Sequence, residues 1–177
     1  MQSSAEKMNT EYQAMLKYFA QNKFDYLAIP TVKTDGKTNE VVTWIKNLRT
    51  EQKLKRKVVL PEVVGDSEGI INVNASLTRP DGTTLTPEQV TPRIAGLICG
   101  TPLSISITYA PLKDFIDCQR FTKQEADEAV GAGKLIFMYD GEKVKVNRGV
   151  NSLTTTTEIK GDSFKKIKIV EIMDMIY

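Results

Sequence analysis

The sequence predicts an α/β fold, a Rossmann-type layered parallel sheet flanked by helices, over its first hundred residues. Two observations carry this. A helical pattern is twice followed by a short, continuously apolar run closed by proline: Tyr26-Leu27-Ala28-Ile29-Pro30 and Val58-Val59-Leu60-Pro61. Runs of that kind read as strands buried on both faces. Their close spacing, helix then strand then helix then strand, is that of a parallel sheet with right-handed crossovers.

The elements follow in order. Ser3 with Glu6 fits a capping box that opens a helix, and Met8, Tyr12, Leu16 and Phe19 give it one apolar stripe ending near Asn22. A second helix is expected over 39 to 53. Val41, Trp44, Ile45 and Leu48 share its inner face, and Lys46, Asn47, Arg49 and Glu51 point away. Gly69-Ile70-Ile71-Asn72-Val73 is a third strand, and Arg79-Pro80-Asp81-Gly82 is a turn by its chemistry. Thr86-Pro87 and Thr91-Pro92 each offer an N-cap followed by proline. A helix after Thr91 carries Ile94, Ala95, Leu97 and Ile98 and stops at Gly100, with Ala95 and Gly96 small enough for close backbone approach. The strict alternation from Ser104 to Tyr109 predicts a half-exposed strand.

The character of the chain changes near residue 118. Thr122 and Glu125 form a second capping box, and the helix they open ends at Gly131 and Gly133. Leu135 to Tyr139 reads as a strand, Asp140-Gly141 as a hairpin turn accepting positive φ at both positions, and Val144 with Val146 as the return strand. Val150 to Thr157 is a further β run. Phe164 to Tyr177 reads as a strand passing into a helix that stops at the chain end without a cap, as a truncated boundary does.

Composition closes off most catalysis. The 177 residues include no histidine, so there is no imidazole triad, Cys-His pair or imidazole metal ligand. Cys99 and Cys118 match no metal spacing and have no convincing activating neighbour; they read as small hydrophobes. Neither phosphate-binding glycine motif is present, and the Gly131-Ala132-Gly133 cluster follows a helix as a C-cap does. Asp114 and Asp117 are spaced to share a helix face with nothing to separate their pKa values, and Glu125, Asp127 and Glu128 complement a helix N-terminus. No catalytic, cofactor-binding or metal-binding residue is assigned, and no cofactor is expected.

A net charge of +2 argues for neither nucleic acid nor a membrane surface. The densest basic run, Lys53, Lys55, Arg56 and Lys57, reads as a solvated loop between a helix and a strand. The N-terminal residues lack the basic and apolar regions of a secretory signal.

Two stretches go beyond a generic α/β pattern. One is Pro92-Arg93-Ile94-Ala95-Gly96-Leu97-Ile98-Cys99-Gly100-Thr101-Pro102, followed by Ser104 and Ser106 to Tyr109. The other is Gly133 to Phe137, Asp140-Gly141, then Arg148-Gly149-Val150-Asn151-Ser152-Leu153-Thr154-Thr155, with Phe164 to Ile167 and Met173-Asp174 behind it. Together, in this order, they resemble the tail sheath proteins of contractile-tailed bacteriophages and of phage-tail-like bacteriocins. The opening helix, the Asp25 to Pro30 strand and the Trp44 helix sit where that family has them, so nearly the whole chain is covered.

The resemblance implies a subtilisin-like α/β domain over residues 1–117, N-terminally truncated, and the beginning of a small α+β C-terminal domain over 118–177. "Subtilisin-like" here describes topology alone. It further implies a structural subunit that forms six-fold rings stacked helically around a tail tube protein. Contraction of those rings drives the tube through a target cell envelope. The expected partners are other sheath subunits and the tail tube, with no nucleic acid and no membrane. The expected location is a virion or bacteriocin tail particle, after synthesis in the bacterial cytoplasm. Family members are longer and are linked by terminal arms that add strands to neighbouring subunits. The expectation for this stretch alone is therefore a monomer or a weak associate. Two alternatives stay open: the sheath of another contractile injection system, and a degenerate hydrolase on an α/β fold.

Overall fold

A computed structural model describes residues 4–176. The centre of the fold is a four-stranded, wholly parallel sheet. Its strands are β1 (Tyr26–Ala28), β2 (Lys57–Pro61), β3 (Ile70–Val73) and, from much later in the chain, β7 (Lys134–Leu135). Registers are direct: Leu27 sits beside Val58, Val59 beside Ile71, and Val73 beside Leu135. Alternate side chains feed two cores. Val58, Leu60 and Ile70 face Leu16 of α1 (Ser4–Gln21) and Val41, Ile45 and Leu48 of α2 (Thr38–Thr50). Val59, Ile71, Val73 and Leu135 face Val90, Ile94 and Ile98 of α3 (Pro87–Gly100). Helices thus cover both faces of a parallel sheet, as its unbroken apolar strands require.

The expected first three strands and two helices form, with one adjustment. β1 is half-buried, not enclosed, because it stands at the edge of the sheet. The Ser3 cap lies outside the described residues.

Around this sheet the chain adds two small ones. β4 (Leu77–Thr78) pairs antiparallel with β5 (Thr84–Leu85) across the Arg79–Gly82 turn, where Gly82 has φ +83°. β4 pairs on its other side with β6 (Asp117–Cys118). β8 (Phe137–Tyr139) pairs with β9 (Val144–Val146). The apolar run expected as one strand over 135–139 is therefore divided between two sheets, with buried Ile136 at the change of direction. At its tip only Gly141 takes positive φ, +99°. Asp140 instead accepts the backbone N–H of Glu142 and Lys143, an Asx-type turn.

Four expectations are corrected. Thr86, not Thr91, caps α3: its hydroxyl accepts from the Gln89 N–H while the Gln89 side chain accepts the Thr86 N–H. Thr91 lies one turn inside, buried, with its hydroxyl donating to the Pro87 carbonyl at 2.8 Å. The alternating run 104–109 forms no strand, because turns at 102–105 and 107–110 leave Ile105 exposed and Ile107 buried. Val150 to Thr157 forms no strand, and its one β-bridge joins Val150 to Lys166. Phe164 onward is a short 3₁₀ turn (Asp162–Lys165) leading into α5 (Ile167–Ile176), with no strand. Tyr177 lies outside the described residues.

The capping box at Thr122 forms as expected and opens α4 (Lys123–Gly131). Residues on either side of position 117 share one core: Ile71, Ile94, Leu135, Phe137 and Ile167 belong to the same cluster.

Candidate functional site

The two family-like stretches occupy distinct structural roles. Arg148 to Thr155 passes beside the start of β3 and is clamped along its length. Ser152 N–H donates to the Ile70 carbonyl at 2.8 Å, and its hydroxyl donates to the Ser67 carbonyl at 3.0 Å. The Asn151 amide donates to the Phe164 carbonyl at 2.7 Å, and its backbone N–H to Lys165. Asp66 accepts from the Thr154 N–H, the Thr154 hydroxyl and the Thr155 N–H at 2.8, 3.0 and 2.9 Å. The Thr155 N–H, ahead of the Thr154 contacts, holds the Asp66 carboxyl well below the usual carboxylate range. Asp66 itself adopts left-handed backbone, φ 42°. Asn, Ser and Thr stand where they do because a buried, strandless segment must pair its polar backbone with something. Gly133 allows the crossing: a Cβ there would lie 2.9 Å from the Ser152 backbone.

The other stretch is α3 and its end. Ile94 and Ile98 are buried on the sheet, and the Thr101 hydroxyl closes the helix on the Leu97 carbonyl at 2.7 Å. Gly96 does not serve close packing within this chain. It is exposed together with Cys99 and Gly100, and a Cβ on either glycine would meet nothing.

A third feature was not read from the sequence. Arg49, expected to point away from α2, is buried, and half of the basic run expected as a solvated loop is buried with it: Arg56 and Lys57. Arg49 donates two hydrogen bonds to Asp174 of α5, at 3.0 and 2.9 Å, and one to the Arg56 carbonyl. Lys57 reaches the same carboxylate at 2.8 Å. Glu68 lies 3.4 Å from Arg49 and 2.8 Å from Lys160. Burial opposes ionisation of Asp174, but the hydrogen bonds from Arg49 and Lys57 outweigh it and hold the carboxyl below its usual range. Burial likewise opposes ionisation of Glu68, and Lys160 and Arg49 outweigh it. Beside this cluster Tyr26 donates to Glu171 at 3.0 Å. Arg56 donates to the Phe19 and Ala20 carbonyls at the end of α1.

Of the acidic residues weighed for chemistry, Asp114 and Asp117 share no helix. Asp114 pairs with Arg93 at 2.7 Å and Asp117 with Arg120 at 2.7 Å. Cys118 is buried, and burial pushes its thiol up to about 11; Cys99 is exposed, and its thiol is also raised, first by desolvation. Neither is poised as a nucleophile at neutral pH. Among the described residues no group of three or more His, Cys, Asp or Glu is arranged to hold a metal ion. No described helix is long and apolar enough to cross a membrane. What the arrangement offers is a well-packed α/β body with exposed apolar residues at Ile105, Tyr109, Ile116, Met175 and Ile176.

Residues 5–152 match the family described as "Phage tail sheath protein central domain". A tail sheath protein of Clostridium phage phiCD119 is 42% identical over 154 residues, 87% of this chain and 43% of the relative. A sheath tail protein from Listeria innocua superposes with a TM-score of 0.88 at 34% identity, over 95% of this chain and 39% of that one. One from Desulfitobacterium hafniense gives 0.89 at 29% identity, over 95% and 41%. The chain thus spans about two-fifths of the length of the relatives it matches.

Proposed function

We infer that this chain, which belongs to the phage tail sheath protein family, is the central part of a sheath subunit whose work is mechanical assembly. The observation that carries the reading is the match over residues 5–152, which takes in α3 and the clamped segment as far as Ser152, together with the fold shared with a solved sheath protein over 95% of the chain. In the whole protein, subunits form six-fold rings stacked helically around a tail tube, and contraction drives the tube through a target envelope. The particle is a virion or a bacteriocin tail, assembled from protein made in the bacterial cytoplasm. Partners are other sheath subunits and the tube protein, without nucleic acid or membrane. The protein acts without catalysis, in keeping with its missing histidine and raised thiol pKa values.

The α/β part is subtilisin-like in topology, a reading supported by four parallel strands with α1 and α2 on one face and α3 on the other. The division at 117/118 into a sheath domain and the start of a C-terminal domain is likewise our proposal, and it rests on the family resemblance. Helices α1 to α3 and strands β1 to β5 precede it, β6 spans it, and β7 beyond it joins the central parallel sheet. A tightly packed body suits rigid-body movement about interfaces, one of the ways that assemblies switch. Electron microscopy of the full-length protein tests the reading: long hollow cylinders are expected, and a dispersed globular species under all assembly conditions would overturn it.

A further inference from the structure

The two halves of α5 are held by different physics. In the first half Ile167 and Val170 are 2% and 1% exposed, and the Ile167 N–H donates to the Gly149 carbonyl. Residues 171–176 include no buried apolar side chain, and Ile172, Met175 and Ile176 are exposed. That half is tied down by two carboxylates: Glu171, which accepts from the Tyr26 hydroxyl, and Asp174, which accepts from Arg49 and Lys57. Lys57 also lies over the Tyr26 ring, 5.2 Å from its centroid. The cluster sits where β1 and β2 begin, beside a cleft of about 820 Å³ that Tyr26, Lys57, Cys99, Leu103, Asp174 and Met175 line.

We propose that residues 171–176 form a carboxylate-held latch that opens about Val170 independently of the sheet and uncovers Arg49 and Lys57. Opening the first half would expose two fully buried aliphatic side chains to water. Opening the second exposes less apolar surface, since Met173 is only half-buried and Met175 and Ile176 already stand largely in solvent. It returns two cations and the Glu171 and Asp174 carboxylates to solvent, so recovered hydration offsets much of the lost pairing. The neighbouring cleft already brings water to the edge of the cluster. Glu68 stays behind with Arg49 and Lys160, which keeps the opened site partly neutralised. The inference concerns contacts within this chain and stands apart from the assembly reading.

Amine-reactive labelling of Lys57, read by mass spectrometry in the intact protein, tests it alongside hydrogen exchange of the Val58–Leu60 amides. The expected result is Lys57 labelling, normalised to exposed Lys23, at least tenfold faster than opening of β2 permits, and insensitive to low denaturant. Asp174→Asn is expected to raise it a further tenfold or more with β2 exchange unchanged. Lys57 labelling that tracks β2 exchange in the wild type overturns the latch, as does a variant in which both rise together. Should Asp174→Asn fail to fold, the wild-type comparison decides alone.

Discussion

Arg49 and Asp174 lie 125 residues apart in sequence and meet through two hydrogen bonds, at 3.0 and 2.9 Å, with side chains 6% and 9% exposed. The pair fastens the last described helix to the end of α2, and Lys57 shares the same carboxylate. Arg49→Met removes one cation from a buried network. Taking away one partner of a buried pair costs about 3–5 kcal/mol. The expected loss is near the lower bound, because Lys57 still faces Asp174 and Lys160 still faces Glu68. Urea unfolding should show a lower midpoint at unchanged slope; a midpoint equal to wild type would contradict it.

The same carboxylates set the response to acid. Asp174, Glu68 and Asp66 all titrate below their usual range in the folded protein. Each therefore contributes stability that is present above the unfolded carboxylate values of about 3.9–4.3 and is lost as pH falls through the lower folded values. Stability should be level from neutral pH down to about 5 and decline below about 4. Asp66→Asn should flatten part of that decline, since one of the three depressed groups is gone. Denaturant midpoints at neutral and acid pH, compared between wild type and variant, measure it.

How much of this was legible depends on the range of the contact that decides each element. The Thr122 capping box, the Arg79–Gly82 turn and the inner face of α2 rest on neighbours within a few residues, and the structure has them as the sequence predicts. The buried roles of Arg49 and Lys57 were not legible, because their partner lies 125 and 117 residues away. A basic residue near a helix end reads as solvated unless that partner is known. The alternating run 104–109 failed for a related reason: alternation describes a strand only when another strand is there to pair with it. Asn151, Ser152 and Thr154 were recognised as a family-like motif, but their task of bonding Phe164, Ser67 and Asp66 needed the fold.

Gly133 is a sharp test of the clamp. Its φ is +70°, and a Cβ would sit 2.9 Å from three Ser152 backbone atoms, which cannot swing aside as a side-chain end can. Left-handed backbone alone costs a non-glycine residue about 1–3 kcal/mol. Gly133→Ala is expected to lose at least about 2 kcal/mol by that strain plus the clash. Gly96→Ala, which meets nothing, should be neutral or slightly stabilising within its helix. Thermal melting of the two variants should separate them clearly.

Asn72 poses the opposite case. It is fully buried in β3, between Leu60 of β2 and Lys134 of β7 in register, and both polar atoms of its amide lack a hydrogen-bond partner. A buried polar group without a partner costs about 1–3 kcal/mol. Valine removes that cost, suits a parallel strand and changes the volume modestly. Asn72→Val is therefore expected to stabilise the fold by about 1 kcal/mol, the remainder going to local repacking. A variant less stable than wild type in urea unfolding would mean that the amide has a partner in solution, such as an internal water, and that the polar group is retained for that contact.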